Sequence, residues 1–479
     1  MKSYKMYIDG QWVGAKETTT VLSPATEQAI AEVPIADDSH VQQALQAAQR
    51  AQRAWSRRTG VERGDFLRRW AQLIEEQQER LAQVISREEG KPITEARGEI
   101  SFGNSWFRYF AGFDRRIEGE ILAADQPNEQ IYIYRQPVGV VVAIIPWNYP
   151  MAVAVRKIAP ALIAGNTIVL KPHEDTPLSA LELVALADAA GLPPGVVNVV
   201  TGPGETVGAS LVKNPVPQLI TFTGSVATGK AIARAAAEHV TVVSLELGGK
   251  APFLVMEDCD LDRAVAAAVT ARFMNCGQVC ICNERTYVHH KVYREFTARL
   301  VHAVERLVVG DPLQDGTQIG PKVNRQELEK VERLVAAARD SGAAVITGGK
   351  RKNTGAYGKG YWFEPTVITG VDQKMPIMQK EIFGPVLPIM EFNSFEEGIK
   401  LANDSVFGLA GYFFSNDVHK IMRAVRDLEI GELYINRGPG ESIHGFHGGW
   451  KESGIGGDDG RHGLEHYLRK KTVYLRHND

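Results

Sequence analysis

Among 479 residues there are only four cysteines, Cys259, Cys276, Cys280 and Cys282, and no second Cys/His cluster is spaced to complete a zinc site with them. No metal is expected, and Cys276 and Cys282 read as small buried hydrophobes. An excess of one charge is missing too. The formal net charge of −3 gives no basis for partnering nucleic acid or an anionic membrane. The longest strongly apolar stretch, Val138 to Trp147, falls far short of the ~20 residues that cross a bilayer. The start, Met1-Lys2-Ser3-Tyr4-Lys5, leads into Tyr7-Ile8-Asp9-Gly10, a strand and turn rather than a signal peptide, so a cytoplasmic location is expected. Repeats and low-complexity tracts are absent as well. What is present is the composition of a soluble globular chain, long enough for two or three domains.

From Val138 onward, short apolar runs alternate with amphipathic stretches. The runs are Val138 to Ile145, Asn166 to Leu170, Val196 to Val200, Leu219 to Phe222 and Val240 to Leu245. Helical segments lie between them: Arg156 to Ala164, Leu178 to Ala190, Gly204 to Lys213 and Gly229 to His239. Such alternation predicts a doubly wound α/β unit with a parallel sheet covered on both faces, which binds ligands beyond the carboxyl ends of its strands. Val41 to Gly90 is charged and helical in period, and packs against that sheet in this reading. A second α/β alternation follows Lys250. Gln130 to Tyr134 and the tail Leu468 to Leu475 alternate as edge strands, able to pair with each other or with another subunit.

Chemistry-bearing residues gather at the ends of these runs. Cys280 follows a glycine turn in Gly277-Gln278-Val279-Cys280, and Glu246 stands between apolar residues and glycines in Leu245-Glu246-Leu247-Gly248-Gly249-Lys250. A thiol that attacks an electrophilic carbon, with a separate carboxylate that activates water, suits chemistry through a thioester. Ile145-Pro146-Trp147-Asn148-Tyr149-Pro150 is a turn clamped by two prolines. It presents Asn148 either as an oxyanion donor or as a turn residue bonding its own backbone. Lys171-Pro172-His173-Glu174 suits ribose hydroxyls or forms a solvated charged loop. Thr223-Gly224-Ser225 enters a helix whose N-terminus could hold a pyrophosphate, although the glycine spacing is neither Walker-like nor G-x-G-x-x-G. Glu381-Ile382-Phe383-Gly384-Pro385 is a rigid turn with a carboxylate and an aromatic ring. His444, His447, His462 and His466 lack the ordered spacing of metal ligands.

Taken in order with Lys451-Glu452-Ser453-Gly454, these blocks resemble the aldehyde dehydrogenase superfamily from about Met6 to the C-terminus. The resemblance implies a dinucleotide-binding domain (residues 1–118 and 139–247), a catalytic domain (248–449), and a bridging β element (119–138 and 450–479) that builds homodimers or homotetramers. It implies Cys280 as nucleophile, Glu246 as general base, and Asn148 with the Cys280 backbone N–H as oxyanion hole. Cofactor contacts fall to Ile145, Trp147, Lys171, His173, Glu174, Ser225, Glu381 and Phe383. Because Glu174 would repel a 2′-phosphate, NAD is expected over NADP.

The family's usual Pro-Phe-Gly-Gly-x-Lys-x-Ser-Gly block reads Gly445-Phe446-His447-Gly448-Gly449-Trp450-Lys451-Glu452-Ser453-Gly454 here, with a histidine inserted. Together with Glu441 and Arg156, this resembles bacterial lactaldehyde and glycolaldehyde dehydrogenases and implies that Arg156, Glu441 and His447 address a short hydroxyaldehyde. Ile281, apolar where that subfamily can place an asparagine, would favour a less polar or longer aldehyde. Two other readings are a CoA-acylating semialdehyde dehydrogenase, which tends to lack the glutamate base, and a structural protein of the same fold.

Overall fold

The computed structural model describes residues 2–478. Five parallel strands form the middle of the first sheet: Val140–Ile144, Thr167–Lys171, Val197–Val199, Leu219–Thr223 and Val242–Glu246. The chain runs outward from Val140–Ile144 through Thr167–Lys171 to Val197–Val199. It then returns to the other side of Val140–Ile144 for the last two strands. The order therefore reverses between Val140–Ile144 and Leu219–Thr223, and the carboxyl ends of these strands flank a crevice. Antiparallel strands close both edges: Met6–Ile8 and Gln11–Val13 on one side, Gly454–Ile455 on the other.

Helices bury both faces of this sheet, which is why its strands are continuous apolar runs rather than alternating ones. Pro150–Ile163 is buried along its whole length. It begins six residues before the expected Arg156 because Pro150 occupies its first turn, where the missing N–H costs nothing. The charged N-terminal region divides into Asp38–Arg57, Gly60–Glu76 and Gln78–Glu89, and the first two open on capping boxes at Asp37 and Thr59. A further helix, Ile93–Ala111, packs against Pro150–Ile163 and adds Trp106, Phe107 and Phe110 to the core.

The second sheet has seven strands, with Ala251–Val255 and Asn283–His289 at its centre and Ala344–Thr347 antiparallel at one edge. A third, one of three smaller sheets among the described residues, has three antiparallel strands, Glu120–Leu122, Glu129–Pro137 and Leu468–Arg476. The two alternating segments thus pair within the chain, from Leu468 opposite Pro137 to Arg476 opposite Glu129. Among the described residues, no helix is long and apolar enough to cross a membrane.

Candidate active site

A cavity of about 570 Å³ opens where the first sheet reverses order. Pro146, Trp147 and Asn148 follow one strand into its wall, and Thr223, Gly224 and Ser225 follow the neighbouring one. The second sheet's side supplies Cys280, Ile281, Glu381 and Phe383, and the C-terminal segment supplies Glu441 and His447. Arg156 reaches the same wall from Pro150–Ile163. Ten of the residues singled out in the sequence therefore share one cavity wall: Trp147, Asn148, Arg156, Ser225, Cys280, Ile281, Glu381, Phe383, Glu441 and His447. Ile145, Lys171, His173, Glu174 and Glu246 do not contribute to that wall.

Cys280 is half-buried at the end of an unusual turn. Asn275, Cys276 and Gly277 all have positive φ (48°, 56° and 72°), a region costing roughly 1–2 kcal/mol for each residue carrying a Cβ. Buried contacts over-determine this backbone. The Asn275 N–H donates to Glu95 at 2.8 Å and its side-chain amide to Glu89 at 2.9 Å. Arg272 donates to the carbonyl of Gly277 at 3.0 Å and also to that of Gly384. Cys276 and Cys282 are buried, which pushes both thiols up to about 12 and leaves them inert. Asn148 is fixed at both ends. Its side-chain amide donates to the Gln278 carbonyl at 2.8 Å, and its own carbonyl accepts from Lys91 at 2.7 Å and Asn275 at 3.1 Å. Lys91 in turn pairs with buried Glu99, which accepts from the Met151 and Ala152 N–H groups at the start of the following helix.

Glu246 ends its strand between Thr223 and Gly454, and is only 2% exposed. Neither carboxylate oxygen has a hydrogen-bond partner among the described residues. Burial pushes the group up to about 8, against the opposing charge of His447. His447 Nε2 lies 3.5 Å from Glu246, while Nδ1 lies 3.0 Å from Glu432 and 3.8 Å from Glu441. Burial pulls the imidazole down, but Glu432 and Glu441 outweigh it and hold it well above its ordinary value. The Cys280 thiol stands on the same cavity wall as the ring and favours its charged form.

Arg156 stacks 4.6 Å from the Trp106 ring and bonds Asp459 through two nitrogens, at 3.1 and 2.6 Å. It also bonds Glu441, so its charge is matched inside the wall. One trio of possible metal-ligand atoms, on Glu432, Glu441 and His447, lies within 4.8 Å, with the Arg156 cation already beside it.

Ser225 caps Val226–Ala236 by accepting from the Thr228 N–H at 3.2 Å, and Ser225 itself lines the cavity, which sets this helix N-terminus at the wall. A Cβ on Gly224 would meet the Phe222 ring at 2.5 Å, so only glycine allows the chain to turn this closely there. Trp147 and Phe383 meet edge to face at 5.3 Å, and Glu381 accepts from the Gly249 N–H at 2.9 Å. Burial, with Glu284 behind it, pushes Glu381 up to about 7. Outside this wall, Lys171 Nζ lies 3.4 Å from Glu174, with His173 alongside at 4.0 Å. Burial opposes, but His173 and Lys171 hold Glu174 below the ordinary carboxylate range. Ile145 is buried beneath, its N–H donating to the Lys171 carbonyl at 3.1 Å. An aromatic slot, a helix N-terminus at the cavity wall and a carboxylate just past a strand end fit a dinucleotide.

Sequence reading missed Lys91, Glu99, Glu432 and Asp459. The Glu88-Glu89-Gly90-Lys91-Pro92 run, charged residues against a glycine and a proline, was the one available signal.

The model of the aldehyde dehydrogenase family matches residues 12–473. The chain is 47% identical over 477 residues to 3,6-anhydro-alpha-L-galactose dehydrogenase of Vibrio sp. (strain EJY3), covering 99% of each chain. It is 43% identical over 476 residues to lactaldehyde dehydrogenase of Escherichia coli (strain K12), covering 99% of this chain and 98% of the other. A solved structure of 3,6-anhydro-L-galactose dehydrogenase in complex with NAP superposes with a TM-score of 0.97 at 48% identity, covering 99% of this chain and all of that one.

Proposed function

The chain belongs to the aldehyde dehydrogenase family, and from that premise we propose that it oxidises a short hydroxyaldehyde to the carboxylic acid with NAD. The observation that carries this is the shared wall on which Cys280 and Asn148 stand with Arg156, Glu441 and His447. Cys280 adds through sulfur to the aldehyde carbon, forming a C–S bond and an oxyanion. Asn148, with one amide hydrogen committed to Gln278 and the other free, donates to that oxyanion beside the Cys280 N–H. Each such donor is worth ~10²–10³ in rate. Collapse of the oxyanion breaks the C–H bond of that carbon and leaves a thioester on Cys280; Trp147, Ser225, Glu381 and Phe383 would hold a nicotinamide dinucleotide, which would supply the acceptor for the departing hydride. Glu246 then takes a proton from water as the hydroxide adds to the thioester, and collapse releases the acid and the thiolate.

Both the anhydrogalactose and the lactaldehyde named for the relatives carry a hydroxyl next to the aldehyde carbon. Glu441 and His447 line the cavity, where that hydroxyl would add a polar contact to the pairs they already make with Arg156 and Glu432. Ile281, buried beside Cys280, offers apolar contact to the rest of the substrate. In this reading the first sheet holds the cofactor, the second carries the thiol, and the third joins subunits into a homodimer or homotetramer.

NADH formation across an aldehyde panel tests the proposal. Lactaldehyde and glycolaldehyde should give higher kcat/KM than propionaldehyde or benzaldehyde, and Cys280→Ala should abolish turnover with all four. A higher kcat/KM for the plain aldehydes would overturn the substrate; turnover by C280A would overturn the mechanism.

A further inference from the structure

The inserted histidine arrives at an unexpected place. Backbone bonds between His447 and Asp458, at 3.0 and 2.7 Å, seat its ring over the carboxylate of Glu246. We propose that His447 is a positioning residue for hydrolysis: its ring, set between Glu432 and Glu441 and 3.5 Å from Glu246, favours the carboxylate form of Glu246 that accepts the water proton. The proposal rests on Glu246 being the base.

The charges around the pair leave this task to His447. Glu246 faces Asp458, Lys157 and Arg156 besides His447. Lys157 is bonded to Asp458 at 2.5 Å, and Arg156 is bonded to Asp459 and Glu441. Each of those cations is matched to a nearer carboxylate. Among the described residues, no other basic side chain forms an ion pair with Glu246. His447 meets Glu432, Glu441, Arg156 and the Cys280 thiol, and its carboxylate neighbours outnumber its cationic one. A buried carboxylic acid with no hydrogen-bond donor prefers to be neutral, and a neutral acid is no base. Burial raises Glu246 to about 8 even with His447 beside it, and the adjacent imidazolium favours the ionised form, so without the ring the group ionises higher still.

The sign follows. Removing the imidazolium raises the pH at which Glu246 ionises, so hydrolysis weakens at neutral pH and returns as pH rises. Formation of the thioester does not use Glu246, so a first turnover should still yield one equivalent of NADH per subunit. Because His447 also lines the cavity, the test uses propionaldehyde, which has no hydroxyl for the ring to contact. NADH formation is followed by rapid mixing between pH 6 and 10 in wild type, His447→Gln and Glu246→Gln.

H447Q should still release one equivalent of NADH per subunit in a first turnover, and the size of that burst, not its rate, certifies its fold and its thiol. Its steady state at pH 7 should then be about tenfold slower, recovering as pH is raised by about one unit or more. E246Q should show the same burst with no recovery at any pH. A wild-type pH profile in H447Q, or a slow steady state that never recovers, overturns the proposal. A normal H447Q beside an inactive E246Q sinks this inference alone. An E246Q enzyme that turns over normally removes the base, and the inference falls with it.

Discussion

At the scale of single residues, the proposed preference for NAD rests on one carboxylate, Glu174, in the loop just after Thr167–Lys171. Glu174 lies 3.4 Å from the ammonium of Lys171 and stays ionised, so a ribose hydroxyl can donate to it while a 2′-phosphate is repelled. Lys171 offsets part of that repulsion. Removing the charge should therefore shift the balance rather than invert it completely. Glu174→Gln is expected to raise the ratio of kcat/KM for NADP over NAD about tenfold. Equal use of the two cofactors by the unaltered enzyme, unmoved by the substitution, would show that Glu174 does not face the ribose. Residues of this kind were legible because each stands at a strand end beside glycine or proline. Glu432, Asp458 and Asp459 were not, because nothing local marks them. Glu432 opens a strand, and the two aspartates follow a glycine pair, yet all three join the buried charge network only through contacts from other elements.

At the scale of elements, the parallel strands were readable as β-branched runs, and the helices between them as amphipathic stretches with glycine stops. The turn before Cys280 was readable only in part. Gly277 announces a bend, and asparagine tolerates the left-handed region, but nothing in Cys276 forecasts that two residues with a Cβ adopt it in succession. That conformation is held from outside by Glu89 and Glu95, Arg272 and the Gly384 carbonyl, which sequence distance separates from the thiol. Gly277 is the position with no room to give. A Cβ there would come 2.3 Å from the Gly384 oxygen and 2.8 Å from Arg272, at a φ of +72°. Gly277→Ala should cost at least ~2 kcal/mol from strain alone. It should also lower kcat about tenfold by displacing Cys280, while cofactor affinity, measured by calorimetry, stays within twofold because Trp147 and Ser225 stand on other elements. An unchanged kcat would mean that the turn tolerates rearrangement and does not aim the thiol.

At the scale of the whole molecule, the three-stranded sheet is the part that makes least sense alone. Ile121 is 75% exposed and Tyr474 is 68% exposed, with Leu122, Tyr134 and Leu475 also open to solvent. Pairing puts Ile121 opposite Tyr132 and Tyr474 opposite Ile131, while Leu122 also faces Ile131. Ile121 and Leu122 are neighbours on one strand and so point to opposite sides, which means both faces of this small sheet carry bare apolar side chains. Its outer strand, Leu468–Arg476, also presents a free edge. A second copy of the chain would cover what the chain leaves open, as exposed patches of this kind ordinarily require. The unaltered protein should therefore run in light scattering at two or four times its 52.6 kDa chain mass. Ile121→Asp with Tyr474→Asp should return it to one chain mass without changing its circular dichroism, because neither substitution removes a strand-pairing backbone group. A wild-type protein that already runs at one chain mass would leave these side chains without a partner and defeat the assignment.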